Sequence, residues 1–176
     1  MGVRLPRSLK GWAEADTVIL EKVLSQRLHP YLKVVEVVVV DKKALSDGIL
    51  RVLFDAEKEM FMNSSEDNRV SIIGNSLAIL AGVGGKDLAE KLISKRGEIT
   101  DVTLSMNSYF YDALLTFGDT YKKYIINDIE EKYGYMLSCG ATTFWETIVG
   151  WRAFSDAGSL CHGWSALPVY YFDLLL

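Results

Sequence analysis

The sequence predicts a mainly all-α protein that is built from helical hairpins. Segments whose apolar residues recur every three or four positions alternate with segments that are apolar on nearly all sides. Only short loops separate these segments, and short loops between consecutive helices are typical of antiparallel helical hairpins. We therefore expect two layers, in which amphipathic helices lie outside and apolar helices lie inside.

The first 43 residues are predicted to form a poorly defined N-terminal segment, and residues 44–176 the main helical domain. Ala15 to Leu28 carries a helical apolar pattern that Pro30 is expected to end. Residues 34–40 are rich in valine, which favours a short strand.

From residue 44 onward the apolar spacing predicts six helices. In the first helix, Ile49, Leu53, Ala56 and Met60 are three or four positions apart and so lie on one face. The amphipathic, outer helices are predicted at residues 44–61, 86–95 and 119–133. The apolar, inner helices are predicted at residues 70–81, 105–117 and 165–176. The distinctive polar and aromatic residues fall in the loops that lead into the inner helices, where a rigid scaffold commonly carries a site.

Composition and charge exclude several classes of function. The net charge of −4 makes nucleic acid and anionic membranes poor partners, and no apolar run is long enough to span a bilayer. No signal peptide is evident, and with Cys139 and Cys161 as the two cysteines we expect a cytoplasmic protein. We expect both cysteines to be buried free thiols, although a disulfide between them remains open. The two histidines and the absence of a CxxC motif indicate no metal site and no cofactor.

Two stretches near the C-terminus concentrate the residues that are able to bind a polar ligand. One runs from Cys139 to Thr147 and the other from Gly158 to Pro168, and together they carry tryptophans, a histidine and Glu146. An indole ring offers a flat apolar face to a sugar ring, and a carboxylate beside it can bind hydroxyl groups or move protons. The alternative is that these aromatic residues simply belong to the core.

Four segments resemble bacterial α-L-rhamnosidase-like glycoside hydrolases. They are Gly-Ala-Thr-Thr-Phe-Trp-Glu at 140–146, Gly-Ser-Leu-Cys-His-Gly-Trp-Ser at 158–165, and the stretches 75–82 and 106–115. The catalytic domain of such enzymes is a six-hairpin (α/α)6 toroid, and the resemblance extends over roughly residues 44–176. It implies that the chain forms the C-terminal part of that toroid.

The resemblance also implies roles for individual residues. Glu146 would be the general base that activates water in an inverting displacement. His162 would bind a sugar hydroxyl, while Trp145 and Trp164 would wall the sugar pocket. Asn107 and Tyr109, in the resembling stretch 106–115, are two further candidates for substrate binding. An equal alternative is that they simply begin a helix that lines the core.

The acidic residue that would complete this site is not evident in the sequence. An inverting glycosidase needs a second carboxylic acid about 6.5–9.5 Å from the base, and in the resembling enzymes it belongs to the N-terminal half of the toroid. We therefore expect a fragment or truncated homologue that is weakly active or inactive alone. The alternative is a non-catalytic carbohydrate-binding or structural helical scaffold. We expect the chain to bind a rhamnoside-like carbohydrate. We also expect it to associate either with a second copy of itself or with the missing N-terminal half.

Overall fold

The computed structural model describes residues 42–176, and the elements discussed below belong to the compact unit Asp47–Leu176, with one helix that begins just before it. Short 3₁₀ turns occur at Gly118–Tyr121, Gly150–Arg152 and Gly163–Ser165. The helices and strands are α1 Lys42–Leu53, β1 Phe54–Asp55, β2 Met60–Phe61, α2 Ile72–Leu80, α3 Lys86–Ser94, α4 Asn107–Leu115, α5 Lys122–Ser138, α6 Ala153–Asp156 and α7 Leu167–Leu175.

The mainly helical fold class that the sequence predicts is confirmed for the described residues, in which one two-stranded sheet accompanies the helices. Five of the six predicted helices correspond to α2, α3, α4, α5 and α7, with shifted ends. The strand predicted at residues 34–40 lies outside the described residues, and so does nearly all of the predicted N-terminal segment 1–43. Within the described part of the chain, no helix is both long and apolar enough to cross a membrane.

The first predicted helix is the main error, because α1 ends at Leu53 instead of continuing to Phe61. The chain turns at Asp55, whose carboxylate accepts hydrogen bonds from the backbone N–H groups of Glu57 and Lys58, each at 3.0 Å. Such local bonds give the backbone an alternative to the helical pattern. A short antiparallel hairpin results, in which Phe54 pairs with Phe61.

The core forms where the helices meet on their apolar faces. α2 packs chiefly on α4, and both helices bury residues on several sides. α5 packs on α7 and buries one stripe, which contains Ile125, Ile129, Tyr133 and Met136 at helical spacing. The long segment between α5 and α7 contains only short helical turns. It is therefore a loop region held at both ends by helices, where functional side chains commonly occur.

Candidate functional site

Two segments between α5 and α7 lie side by side and form the candidate site. The backbone N–H of Glu146 donates to the carbonyl of Ser159 at 2.9 Å, and the N–H of His162 donates to the carbonyl of Phe144 at 2.7 Å. Backbone hydrogen bonds therefore bring together the two motifs that the sequence indicated. We call them the site loops, and they are residues 140–147 and 158–165.

Glycines allow the second site loop to approach the backbone at Gly150 closely. A Cβ atom at Gly158 would lie 2.1 Å from the carbonyl oxygen of Gly150, a contact that no side chain can make. Gly150 itself has a φ of +62°, and a Cβ atom there would lie 3.0 Å from the Trp145 ring. A side chain at either position would therefore force the second site loop or the Trp145 indole to shift.

Glu146 is half-buried, and within the described part of the chain its side chain makes one hydrogen bond, in which Oε2 accepts from the backbone N–H of Ser159 at 3.2 Å. Among residues 42–176, no lysine or arginine forms an ion pair with it. A carboxylate can accept about four hydrogen bonds, so most of the accepting capacity of Glu146 is available to water or to a ligand.

The two tryptophans of the site loops have different surroundings. Trp145 is half-buried, packs against the hydrophobic core and lines a cavity of about 530 Å³ that does not include Glu146. Trp164 is 75% exposed, and its ring meets that of His162 edge to face at a centroid distance of 6.0 Å. We call the cavity beside Trp145 the tryptophan cavity. Its lining includes Tyr135, Thr142, Trp145, Trp151, Arg152 and Leu160.

Asn107 and Tyr109, the other two candidates, lie in the first turn of α4. Asn107 is buried, and its side-chain oxygen accepts from Arg96 at 2.6 Å. Its amide donates to the carbonyls of Thr103 and Leu104 at 3.2 and 3.3 Å, so its hydrogen-bonding groups are occupied within the protein. Tyr109, by contrast, is 42% exposed.

A polar cluster between α4 and α5 was missed by the sequence reasoning. Asp128 accepts hydrogen bonds from Arg96 at 2.9 Å, from the Tyr111 hydroxyl at 2.5 Å and from Lys132 at 2.5 Å. Burial alone would raise the pKa of Asp128, but the charges of Lys132 and Arg96 outweigh burial and lower it. The four-residue spacing of Asp128 and Lys132 on α5 was the available signal, and it resembled an ordinary solvated face. We call Arg96, Asn107, Tyr111, Asp128 and Lys132 the α4–α5 network.

A second carboxyl group with an altered environment lies on α4. The Tyr171 hydroxyl is 2.7 Å from Asp112 Oδ1 and 3.0 Å from the carbonyl oxygen of Ser108. Burial raises the pKa of Asp112 even though this hydrogen bond opposes the rise. The contact joins α4 to α7.

The cysteine prediction is correct in one respect and wrong in another. Cys139 and Cys161 are both free, as expected, but both are exposed instead of buried, because they lie at the end of α5 and in the second site loop. Within the described residues, no group of three or more histidine, cysteine or acidic side chains is arranged to hold a metal ion.

Comparison with known proteins identifies the fold. No protein-family model matches the sequence, and no curated protein matches it. The chain has the fold of one part of a rhamnosidase, and thus a glycoside-hydrolase-like fold. A solved structure that matches is a rhamnosidase from Klebsiella oxytoca with rhamnose bound, at a TM-score of 0.63 and 22% sequence identity. The match covers 91% of this chain and 30% of that one, so the chain spans less than a third of that enzyme's length.

Proposed function

We propose that this chain forms the C-terminal part of the catalytic domain of an inverting, rhamnosidase-like glycoside hydrolase, in which Glu146 is the general base. The observation that carries the proposal is the Glu146 carboxylate, which the paired site loops anchor by one bond while leaving it open to water. The fold supports it, because the matching enzyme was solved with rhamnose bound.

In the proposed reaction, Glu146 accepts a proton from a water molecule that attacks the anomeric carbon of the sugar. His162 donates a hydrogen bond to a sugar hydroxyl, and the indole faces of Trp145 and Trp164 pack against apolar faces of the substrate. Tyr109 is the contact that we propose on α4, where its ring is exposed. Asn107 acts indirectly, because its bonds to Arg96 and to two carbonyl groups fix the start of that helix.

The general acid is proposed to come from outside residues 42–176. An inverting displacement needs separate acid and base groups, and the resemblance places the acid in the N-terminal half of the toroid. The chain alone is therefore expected to be weakly active or inactive. Assembly with a segment that supplies the acid would complete the site.

Hydrolysis of an aryl α-L-rhamnoside tests Glu146 directly. Any turnover by this chain, alone or together with a candidate partner segment, should fall by at least about a hundredfold in Glu146→Gln. The control is Glu130→Gln, because Glu130 is an exposed carboxylate on α5, outside the site loops. Turnover that survives Glu146→Gln would contradict the assignment of the base.

A second candidate function is carbohydrate binding without hydrolysis. It is favoured by the 75% exposed Trp164 ring, which offers a stacking surface whether or not a general acid is present. Calorimetric titration with rhamnose separates the two candidates. Binding that persists when no partner segment restores turnover supports a binding module, whereas absence of binding to any sugar leaves only a structural scaffold.

We also propose that the exposed apolar face of α7 packs against a second copy of the chain. Val169 and Tyr170 are 68% and 55% exposed, and Leu174 is 48% exposed on the same helix. Exposed apolar patches of this kind commonly mark interaction surfaces. Light scattering at micromolar concentration should give a dimer that Tyr170→Glu dissociates, and a monomeric wild-type protein would contradict the proposal.

A further inference from the structure

We propose that Tyr133 on α5 is a positioning residue, which holds the two site loops together and thereby sets how His162 and Trp164 meet a sugar. The inference rests on the proposed function, because the ligand of His162 and Trp164 is the carbohydrate proposed there. Tyr133 does not touch that sugar and acts only through the loops. A residue outside the site loops is thus assigned to their arrangement.

The Tyr133 hydroxyl is tied to the second site loop. It donates to the carbonyl oxygen of Ser165 at 2.6 Å, and both residues are buried. Ser165 ends the 3₁₀ turn that carries Trp164, and α7 begins two residues later at Leu167. The bond therefore attaches to α5 the point at which the second site loop leads into α7.

The Tyr133 ring contacts the first site loop. It meets the Phe144 ring edge to face, at a centroid distance of 5.9 Å and an interplanar angle of 76°. Aromatic pairs of this geometry are stabilising beyond the area that they bury. One side chain therefore contacts both site loops, the first through its ring and the second through its hydroxyl.

Backbone hydrogen bonds close a circuit that includes Tyr133. The N–H of Ser165 donates to the carbonyl of His162 at 2.9 Å, and the N–H of His162 donates to the carbonyl of Phe144 at 2.7 Å. The contacts thus run from the hydroxyl of Tyr133 along the second site loop, and they return through Phe144 to its ring. His162 belongs to this circuit, and Trp164 lies in the turn between His162 and Ser165. A shift of Ser165 would therefore move both ligand-facing rings.

Packing alone does not account for the hydroxyl of Tyr133. The other buried residues of the α5 stripe are apolar, and a phenylalanine would fill the same space among them; they are Ile125, Ile129 and Met136. Burial and the charge of Asp128 raise the pKa of Tyr133, so the hydroxyl stays protonated and able to donate. The polar atom of this side chain therefore serves the bond to the second site loop.

The side chain of Ser165 does not hold the loop by itself. Ser165 is fully buried, yet its Oγ has no hydrogen-bond partner among the described residues. Because buried polar groups are normally hydrogen-bonded, the position of Ser165 is imposed by contacts other than those of its own side chain. Within residues 42–176, the backbone of the turn and the Tyr133 hydroxyl supply such contacts.

Tyr133→Phe tests the inference, because it removes the hydroxyl and keeps the ring. Calorimetric titration of the intact chain with rhamnose should show binding about fivefold weaker than in wild type, as the loss of one ordinary hydrogen bond predicts. The control is Tyr121→Phe, which makes the same change in another buried tyrosine. The Tyr121 hydroxyl lies 3.4 Å from Glu90, outside the site loops, so this variant should bind rhamnose as wild type does. Both variants should remain folded by circular dichroism.

The imidazole NMR signal of His162 gives a second readout, which requires no ligand. The chain has two histidines, so the signal that disappears in His162→Ala is assigned to His162. The centroid of the His162 ring lies 6.0 Å from that of Trp164, and the indole ring current therefore makes its chemical shift depend on how the two rings are arranged. Tyr133→Phe should shift this signal, whereas Tyr121→Phe should leave it in place.

The outcomes separate this inference from the proposed function. Undiminished rhamnose binding in Tyr133→Phe, or an equal loss in both variants, overturns the positioning role. A loss of binding in Tyr133→Phe with an unchanged His162 signal overturns it as well, because the loops would not have moved. If wild type binds no rhamnose and the signal shifts in Tyr133→Phe alone, Tyr133 positions the loops but the proposed function fails. If wild type binds no rhamnose and the signal is the same in both variants, both proposals fail.

Discussion

The α4–α5 network and the site loops use polar side chains in opposite ways. In the network, Asp128 accepts hydrogen bonds from three side chains, and its side chain is only 13% exposed. In the site loops, Glu146 accepts one hydrogen bond from a backbone group and has no ion pair among the described residues. Both carboxylates belong to the same chain. Neighbouring side chains occupy the hydrogen-bonding capacity of Asp128, whereas most of that of Glu146 is unused.

The difference leads us to expect that the α4–α5 network stabilises the fold, whereas our proposal assigns ligand binding to the site loops. A buried network in which every polar group has a partner contributes to the stability of the fold. Removing one partner leaves a buried charge without compensation, and this is destabilising. A carboxylate that makes one hydrogen bond is expected to contribute little to stability, and its remaining accepting capacity is what our proposal assigns to water or a ligand. Substitutions in the two regions should therefore affect different measurements, namely unfolding free energy in the first and ligand binding in the second.

Asp128→Ala is the substitution with the largest expected effect. It leaves Arg96 and Lys132 close together, 12% and 19% exposed, without the carboxylate that pairs them. Loss of one member of such a buried pair costs about 3 kcal/mol. Urea unfolding followed by circular dichroism measures this loss. Glu130→Ala, two residues away and exposed, should change the free energy of unfolding by no more than about 0.5 kcal/mol.

An equal effect of Asp128→Ala and Glu130→Ala would contradict the distinction between the two regions. A loss of sugar binding in Asp128→Ala at full stability would contradict it as well, because it would place the network in the site. The intermediate variant Asp128→Asn keeps the shape and some of the hydrogen bonds, and it should lie between wild type and Asp128→Ala.

The same network should make stability depend on acidity. The charges of Lys132 and Arg96 outweigh burial and lower the pKa of Asp128 below its ordinary 3.8. A carboxyl group whose pKa is lower in the folded state stabilises the fold above its unfolded pKa and loses this contribution as the pH falls. The difference in unfolding free energy between wild type and Asp128→Ala should thus shrink below about pH 4. A difference that stays constant from about pH 7 to about pH 3 would refute the assignment.

The sequence predicts the helices better than it predicts the polar groups, and the reason is physical. Apolar spacing records burial on one helix face, so α5 was predicted as an amphipathic helix, although it runs five residues beyond its predicted end at 133. Asp55 ended α1 early through a local carboxylate turn that apolar spacing cannot register. Arg96 seemed to mark only a helix end, because its partners Asn107 and Asp128 are distant in sequence.

The site loops were identified for a different reason. They combine tryptophan, histidine and glutamate within short glycine-containing stretches. The resemblance rested on these residue types and on their order in the sequence. What the sequence could not supply was the pairing between the loops, which is made by backbone hydrogen bonds of Glu146 with Ser159 and of His162 with Phe144. Nor could it distinguish Asn107, which is enclosed by its partners, from the exposed Tyr109 two positions later.

Gly158→Ala should disturb the site loops more than the helical body. Its new Cβ atom would lie 2.1 Å from the backbone oxygen of Gly150, which cannot rotate away, so the loop must shift. Overpacking of this kind costs about 1–3 kcal/mol. Calorimetry should show weakened sugar binding together with this moderate loss of stability. Gly163→Ala in the same loop is the control, because nothing lies within 4 Å of its added Cβ atom; an equal effect there would contradict the argument from close approach.

Trp164→Ala has the smallest expected effect on stability and tests the proposed contact between the site loops and a sugar. Its ring is 75% exposed and meets mainly His162, so the unfolding free energy should change by less than about 0.5 kcal/mol. If the ring packs against a sugar, rhamnose binding should weaken by about fivefold in calorimetric titration, since a lost stacking surface of this size is worth about 1 kcal/mol. Leu137→Ala removes an apolar side chain that is 70% exposed on α5, outside the site loops and the tryptophan cavity, so it should spare rhamnose binding. Loss of stability in Trp164→Ala without any loss of binding would place this ring with the core, and the contrast between the two regions would not extend to it.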